Sequence, residues 1–594
     1  MSEYQPSVTG GRDVHTVRFP DGAPPWELDV LIVGAGPVGL SAAIELAGRG
    51  VRVAVVDRAR SATLIRAGAM GHSARTVEHF RRWGVLQEIR TEWTFPPEWV
   101  HGIKLITSLT GHELVQNRRR SFTDRGNAGR ADRHSLADRI RRPQTALQQV
   151  FLNHLGRHGV PVTGGWQLDA LHEHADWIDA EVAGVDSGER RTIRARYVLG
   201  ADGGSSTVRR LAGISRDGER APLKRLRLIV RTGDESERLG PAPSGVNLVF
   251  NAKAWSFLAA VSTREWRVYA GPYPLDYEPT NEELIEIGQA AFGFDLDLEV
   301  ASATTYYDSS RVAQTFRKGR VLLAGDAAHV RTPGGNLGEG FGDVANLGWK
   351  LAAVLDGRAP EALLDSYDAE RRRHNWRIAD FALDRARRGY ELREQIRRDG
   401  IPDDADLSPA AQRRRAEIGD LIGRRGLESA GVEFDERYDA SPAIWYEPGQ
   451  LEEEKPWQSG HYEDDPRPGH RAPDGYLDPW GDTLYDRIGN DFALLVLTQD
   501  TATGQAFAAE AAARALPLSV IHLPDPAARE LYGADNVLIR PDQHVAWRGA
   551  RVPDGGAAAV LDLVLGRARE GAGRPAESEL AESELAAAST GAAN

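Results

Sequence analysis

The chain has 594 residues, a net charge of −13 and no cysteine. The missing thiols exclude disulfides, Cys-ligated zinc, iron–sulfur clusters and thiol redox chemistry, and the acidic balance argues against nucleic acid, whose phosphates it would repel. A polar N-terminus without a signal-peptide core, and no apolar run near the ~20 residues of a membrane span, predict a cytoplasmic protein of about three domains with no membrane partner.

Residues 1–27 read as a leader arm rich in Gly, Pro and Asp. A βαβ unit follows: a strand at Leu28–Val33, a helix over LSAAIELAGRG, and a second strand from Val51 that ends at Asp57. Such alternation predicts a parallel sheet. From about 100 to 190, short strands mix with one helix beginning at Gln144. Residues 192–201 predict a strand entering a Gly-rich turn, and 216–310, dense in β-branched and aromatic residues, predict a mostly β unit. A strand at Val321–Ala324 leads into GDAAH, and an Arg- and Glu-rich helical region covers about 343–425. The stretch 440–480, rich in Pro, Gly and acidic residues, reads as a linker. Beyond it, DFALLVL, LSVIHL, NVLIRP and HVAWRG, with a helix ending near Ala515, predict a small α/β domain. The tail over 567–594 contains AESELAESEL followed by Ala, Ser and Thr, too little apolar surface for a core.

Three motifs carry chemistry. Gly34-x-Gly36-x-x-Gly39 joins the first strand to its helix. The first Gly permits a tight turn, the second a close approach of backbone to a pyrophosphate, the third helix–strand contact, and the helix N-terminus favours the anion. Asp57 ends the next strand, where a carboxylate reaches a ribose hydroxyl. This combination predicts dinucleotide binding, with FAD and NAD both open. The second motif places Gly325-Asp326 directly after a strand. An aspartate there can accept a ribityl hydroxyl, and the loop TPGGNLGEGFGD that follows opens a helix whose N–H groups can face the N1–C2=O edge of a flavin. In the third, Tyr197–Arg210 delivers Asp202-Gly203 into a turn with arginines nearby. Each of these last two, taken alone, also reads as an ordinary turn.

In this order the motifs resemble those of the class A flavoprotein monooxygenases, the FAD-dependent aromatic hydroxylases related to para-hydroxybenzoate hydroxylase and phenol hydroxylase. GAGPVG resembles the family's FAD-adenosine motif, GADGGSSTVR its "DG" motif and AGDAAH its "GD" motif, which holds the ribityl chain. DVANLGWKLAAVL and ERYDASPAI, ending at Ile444, resemble further family segments. The resemblance implies an α/β fold: a Rossmann-like FAD-binding domain, a β-rich substrate subdomain and a C-terminal thioredoxin-like domain. Its divisions would be the arm (1–27), a first FAD-binding part (28–215, with substrate-domain strands at about 95–130) and the substrate domain (216–310). A second FAD-binding part with long helices (311–440), a linker (441–466), the thioredoxin-like domain (467–552) and the tail would follow.

The implied cofactor residues are Gly34, Gly36, Pro37, Val38, Gly39, Asp57, Arg58, Arg66, Gln144, Asp202, Gly325, Asp326, Pro333, Asn336, Leu337 and Gly338. Arg58 and Arg66 also read as solvated surface charges. The loop from Pro333 to Asp343 is shorter than the family pattern, so the N–H groups that meet the flavin are open at this stage. The implied cofactors are non-covalent FAD and NADPH or NADH as a transient reductant. The implied partners are O2 and an aromatic small molecule, phenolic or polycyclic, natural products included, hydroxylated through a flavin C4a-hydroperoxide. Alternatives are Baeyer–Villiger or epoxidising oxygenation, and a flavin-binding pathway protein without turnover of its own. No catalytic base is identified; Tyr269, Tyr306, Tyr307, Arg264, His72 and His101 are candidates that also read as packing or surface residues. No metal site is expected. Lacking thiols, the thioredoxin-like domain is expected to serve assembly, in a homodimer or higher homo-oligomer, and to be dispensable for flavin chemistry.

Overall fold

The computed structural model describes residues 16–63, 71–92, 103–115, 134–239, 246–332, 336–423, 430–476 and 483–567. The first βαβ unit nucleates a sheet in the order Trp166–Glu173, Ile178–Gly184, Arg190–Gly200, Glu27–Val33, Val53–Asp57, Val162–Gly164, with Val321–Leu323 also beside Arg190–Gly200. The strands around Glu27–Val33 run parallel. Parallel pairing needs crossovers and two covered faces, and the near-continuous burial of Val30–Val33 and Val53–Val56 reflects this. Helix α1 (Pro37–Ala47) follows the first strand, with Gly36 as its N-cap and Pro37 in its first turn. It packs on α2 (Gln144–Arg157) and on α3 (Asn336–Leu355). Helix α4 (Asp365–Asp399) crosses behind α3. The predicted single helical region is thus broken, at residues 356–364 and again before Pro409–Gly423.

A second sheet has the order His329–Arg331, Glu299–Ala313, Arg216–Arg231, Glu265–Tyr273, Trp255–Ala260, Val246–Phe250, Ile103–Ile106, Glu113–Val115. The two last strands come from the interleaved region read in the sequence. Side chains alternate across this sheet. Leu226, Leu228, Val230, Leu258, Trp266 and Val268 form one core with Phe292 at the end of helix Asn281–Phe292. Arg227, Ile229, Phe257, Arg267 and Tyr269 therefore share the opposite face.

The C-terminal sheet has the order Leu518–His522, Phe492–Val496, Asn536–Ile539, Val545–Gly549, parallel in its first pair and antiparallel in the rest. With helices Ala502–Ala513, Pro526–Tyr532 and Gly556–Val564 it makes the thioredoxin-like unit. It does not stand apart: Phe492 meets Trp349 of α3 edge-on at 5.3 Å, and Val560 and Leu561 belong to the same apolar core as the FAD-domain strands.

Two segments read as peripheral in the sequence carry buried residues. Thr16–Arg18, from the arm, pairs with Ser61–Thr63, and Val17 and Phe19 are buried. Within and beside the linker, Tyr438, Ser441, Ala443 and Ile444 are buried. No helix among the described residues is long and apolar enough to cross a membrane.

Candidate active site

The three motifs, far apart in sequence, meet at glycines. A Cβ on Gly34 would lie 2.4 Å from the carbonyl oxygen of Ala201 and 2.9 Å from Cα of Asp202, so the first motif touches the "DG" turn through bare backbone; Gly34 also has φ +111°. On the other side of the turn, Val38 fills the space against Gly325 and Gly340: Cβ atoms on those glycines would lie 3.1 and 2.6 Å from Val38 Cγ2. A Cβ on Gly39 would lie 1.9 Å from the Gly34 carbonyl oxygen, so this glycine is needed for helix–turn contact.

Gly36 is different. Nothing lies within 4 Å of a Cβ built there, and α1 has no side-chain cap. First-turn N–H groups have no partner within their own helix, and the space beside Gly36 leaves room for a pyrophosphate at this helix end. Asp57 stands beside it, its Oδ2 accepting from Ala35 N at 2.7 Å and its Oδ1 from Ala59 N at 2.8 Å. Burial, reinforced by Asp202, holds its carboxyl above the usual range despite those bonds. Arg58 is exposed.

Asp202 Oδ2 accepts from Thr207 N at 2.6 Å and Val208 N at 3.2 Å, capping the short helix Thr207–Leu211. Its Oδ1 is buried with no partner. The Asp326 residue is open to solvent, yet protein surrounds its carboxyl closely enough that burial raises its pKa, against the pull of His329 and Arg216. These features fit an extended dinucleotide with a flavin.

Residues 27–382 match the FAD binding domain family and residues 465–568 the aromatic-ring hydroxylase C-terminal family. The chain belongs to the FAD-dependent aromatic-ring hydroxylases. It is 31% identical to 4-methyl-5-nitrocatechol 5-monooxygenase of a Burkholderia species, over 91% of this chain and 97% of that one. The structure of the rebeccamycin biosynthetic enzyme RebC with reduced flavin superposes with a TM-score of 0.80 at 30% identity, covering 92% of this chain and 100% of RebC. The ternary complex of aklavinone-11 hydroxylase with FAD and aklavinone has a TM-score of 0.75 at 27% identity, covering 92% and 99%. The protein is an FAD-dependent aromatic monooxygenase.

In the hydroxylase, Gln144 is the half-buried first residue of α2, whereas Gln148, one turn on, donates to Ala35 O at 2.9 Å and holds the Gly-rich turn. The i, i+4 spacing from Gln144 is the only hint of it in the sequence. Arg216 was also missed. Its Nη1 donates to Gly204 O at 2.8 Å and its Nη2 to Ala327 O at 3.0 Å and to Asp326 O, joining the "DG" and "GD" turns. Leu337 packs on the main core, and a Cβ on Gly338 would lie 2.8 Å from Thr76 Oγ1, both within the first turn of α3. Arg66, Pro333 and His101 lie outside the described residues, as does the side chain of Asn336.

Behind the "GD" turn sits Asp343. Its Oδ2 accepts from Gly325 N at 2.9 Å and His329 Nε2 at 2.7 Å, its Oδ1 from Arg371 Nε at 2.9 Å and Asn375 Nδ2 at 3.2 Å. Burial would raise this carboxyl, but His329 and Arg371 carry it far below the carboxylate range. Arg371 also donates to Glu339 O at 3.0 Å and pairs with Glu436. Glu436 accepts from Arg75 at 2.9 Å, and Arg75 donates to Gln543 and, at 3.2 Å, to Asp542 O. Arg540 grips Glu370 at 2.7 and 2.8 Å, and Asn346 Nδ2 donates to Asp542 Oδ2 at 3.0 Å. Buried charges thus lead from the C-terminal domain to the loop bearing Asp326.

Of the base candidates, Tyr269 and Tyr306 meet edge-on at 5.5 Å on the inner sheet face, with Phe257 5.1 Å from Tyr269. Tyr307 lies under Arg220 at 4.2 Å. Arg264 is exposed. His72 is buried, bonded to Arg142 O at 2.9 Å, and burial lowers its pKa to about 4. One group of metal-type side chains exists among the described residues, Glu454, Asp465 and His470, but Arg437 and Arg467 engage its carboxylates at 2.7 and 2.6 Å.

Proposed function

We propose that the hydroxylase adds one oxygen atom to a phenolic, fused-ring aromatic natural product, consuming O2 and NADPH or NADH and releasing water and NAD(P)+. The convergence of the three motifs at Gly34, Val38 and Gly325 carries this reading. Gly34, Gly36 and Gly39 with the first turn of α1 bind the pyrophosphate, Asp57 the adenosine ribose, and Asp326 a ribityl hydroxyl. The first turn of α3 directs N–H groups at the flavin ring. Bound FAD supplies the electron carriage and oxygen activation. The protein's part is to orient the rings and exclude water.

Similarity to aklavinone-11 hydroxylase and RebC supports a polycyclic substrate. So does the aromatic inner face of the second sheet, where Phe257, Tyr269 and Tyr306 offer edge and face contacts to flat rings. Burial raises the Tyr306 phenol, so it donates a hydrogen bond at neutral pH rather than acting as a base. The enzyme works in the cytoplasm, where NAD(P)H is renewed, and self-associates; the exposed edge strand Leu518–His522, with Val520 open to solvent, supports the latter. The test is product mass from NAD(P)H-driven turnover with a panel of fused-ring phenols. Gain of one oxygen with every ring intact is expected. Ring expansion by an inserted oxygen, or no substrate-dependent NAD(P)H consumption, would overturn the reading.

A further inference from the structure

The segment matched by the FAD binding domain family begins at residue 27, and the arm lies ahead of it. From residue 16 onward the arm is tied to the chain just after Asp57. Thr16–Arg18 runs antiparallel to Ser61–Thr63, with Val17 opposite Ala62, and among the described residues neither strand joins a larger sheet. Phe19 N donates to Arg60 O at 2.9 Å, and the Arg60 side chain pairs with Asp21 at 2.7 Å. Gly164 is the register partner of Asp57 on the next parallel strand, and its N donates to Pro20 O at 3.0 Å. A Cβ on Gly164 would lie 2.9 Å from both Ala59 O and Phe19 Cβ. Arm, strand end and the loop after Asp57 therefore meet at one point.

The same loop holds the carboxylate. Asp57 Oδ1 accepts from Ala59 N and Oδ2 from Ala35 N, so the loop and the Gly-rich turn each take one acceptor site. An ionised carboxylate has about four, and those left over are what a ribose diol can use. Their direction depends on where Ala59 sits. A ribbon of two three-residue strands is not stable by itself, and ordering a loop costs conformational entropy. The Arg60–Asp21 pair is exposed and contributes little. Burial of Val17 and Phe19 in the main core is what holds the arm, and through it the loop, in place.

We propose that Val17 and Phe19 are positioning residues for the adenosine half of FAD. They anchor the arm, the arm fixes the loop Arg58–Arg60, and the loop aims the Asp57 carboxylate at the ribose. This rests on the reading of Asp57 as the ribose ligand and adds a part to the site from outside the matched domain.

The test compares FAD with FMN, which lacks the adenosine, by fluorescence titration of the full-length apoprotein. Phe19→Ala is expected to weaken FAD about tenfold and to leave FMN unchanged. A merely structural role would weaken both alike. Because Phe19 acts through Asp57, adding Phe19→Ala to Asp57→Ala should cost no further FAD affinity. Linkage also requires FAD to hold the arm in return. In the wild type, amide exchange at Val17–Phe19 and Ser61–Thr63 should slow with saturating FAD and not with FMN. That measurement decides alone should Phe19→Ala not fold. Equal losses for FAD and FMN, additive losses in the double variant, or arm exchange indifferent to FAD would each overturn the proposal. Failure of the Asp57 reading would show separately, as unchanged FAD affinity in Asp57→Ala alone.

Discussion

Arg371 donates from Nε to Asp343 Oδ1 at 2.9 Å, and neither side chain has any exposure to solvent. The other oxygen of Asp343 holds Gly325 N, so a cation on α4 is one carboxylate away from the turn that presents Asp326. Arg371→Met would leave Asp343, Glu339 and Glu436 short of a buried cation. Loss of about 3–5 kcal/mol in unfolding free energy is expected, together with weaker FAD binding. A variant with wild-type urea midpoint and wild-type FAD affinity would show the pair to be idle.

Gly34 and Gly36 lie two residues apart and should respond differently. Gly34→Ala drives a Cβ to 2.4 Å from Ala201 O at a φ of +111°, so the apoprotein itself should be destabilised. Gly36→Val meets no protein atom near its Cβ and has an ordinary φ of −69°. Its apoprotein should unfold near the wild-type midpoint yet bind FAD at least about tenfold more weakly, by collision with the pyrophosphate. Equal stability losses in the two variants would contradict the placement of the cofactor.

Asp326→Ala should lower FAD affinity by a charge-assisted hydrogen bond, about 1.5–3 kcal/mol, and Asp57→Ala should do the same at the adenosine end. Fluorescence titration of apoprotein with FAD measures both. Unchanged affinity in the pair would remove these residues from the site.

The thioredoxin-like domain, expected from its lack of thiols to be dispensable for flavin chemistry, is bonded into α3 and α4. Removing residues from 465 onward takes Arg540 from Glu370 and Gln543 from Arg75 and uncovers the apolar faces of α3 that this domain packs on. The truncated chain should be insoluble or free of flavin. A soluble truncation retaining FAD at wild-type affinity would restore the simpler expectation.

Acid should loosen the same network. Burial would raise Glu370 and Glu339, but Arg540 and Lys350 lower the first, and His374 the second, to about 2. For carboxyls depressed in the folded state, stability is complete above the unfolded value, roughly 4.5, and is lost as pH falls toward 2. Urea unfolding should therefore lose free energy as pH falls below about 6.5, where the unfolded-state His72 imidazole takes up a proton that the buried one refuses, and more steeply below about pH 5 as these carboxyls protonate. A flat profile through that window would contradict the pairing.

The sequence by itself determined the βαβ frame, the order of the three motifs and the absence of thiol chemistry. These rest on local rules: glycine spacing at a strand–helix turn, a carboxylate at the next strand end, apolar runs of strand length. It also contained the alternation that sends Trp266 and Arg267 to opposite faces, but not which face meets the FAD domain. Tertiary structure alone decided the partners. That Gly34 abuts Ala201, that Gln148 rather than Gln144 reaches the turn, that Arg216 bonds Ala327, and that Asn346 meets Asp542 of the C-terminal domain are all contacts across long sequence separations. A charged residue reads as surface until its partner is known, because burial of a charge depends on what neutralises it. Arg371, Glu370 and Arg540 look like solvated helix and hairpin charges in the sequence; folded, they are a buried network.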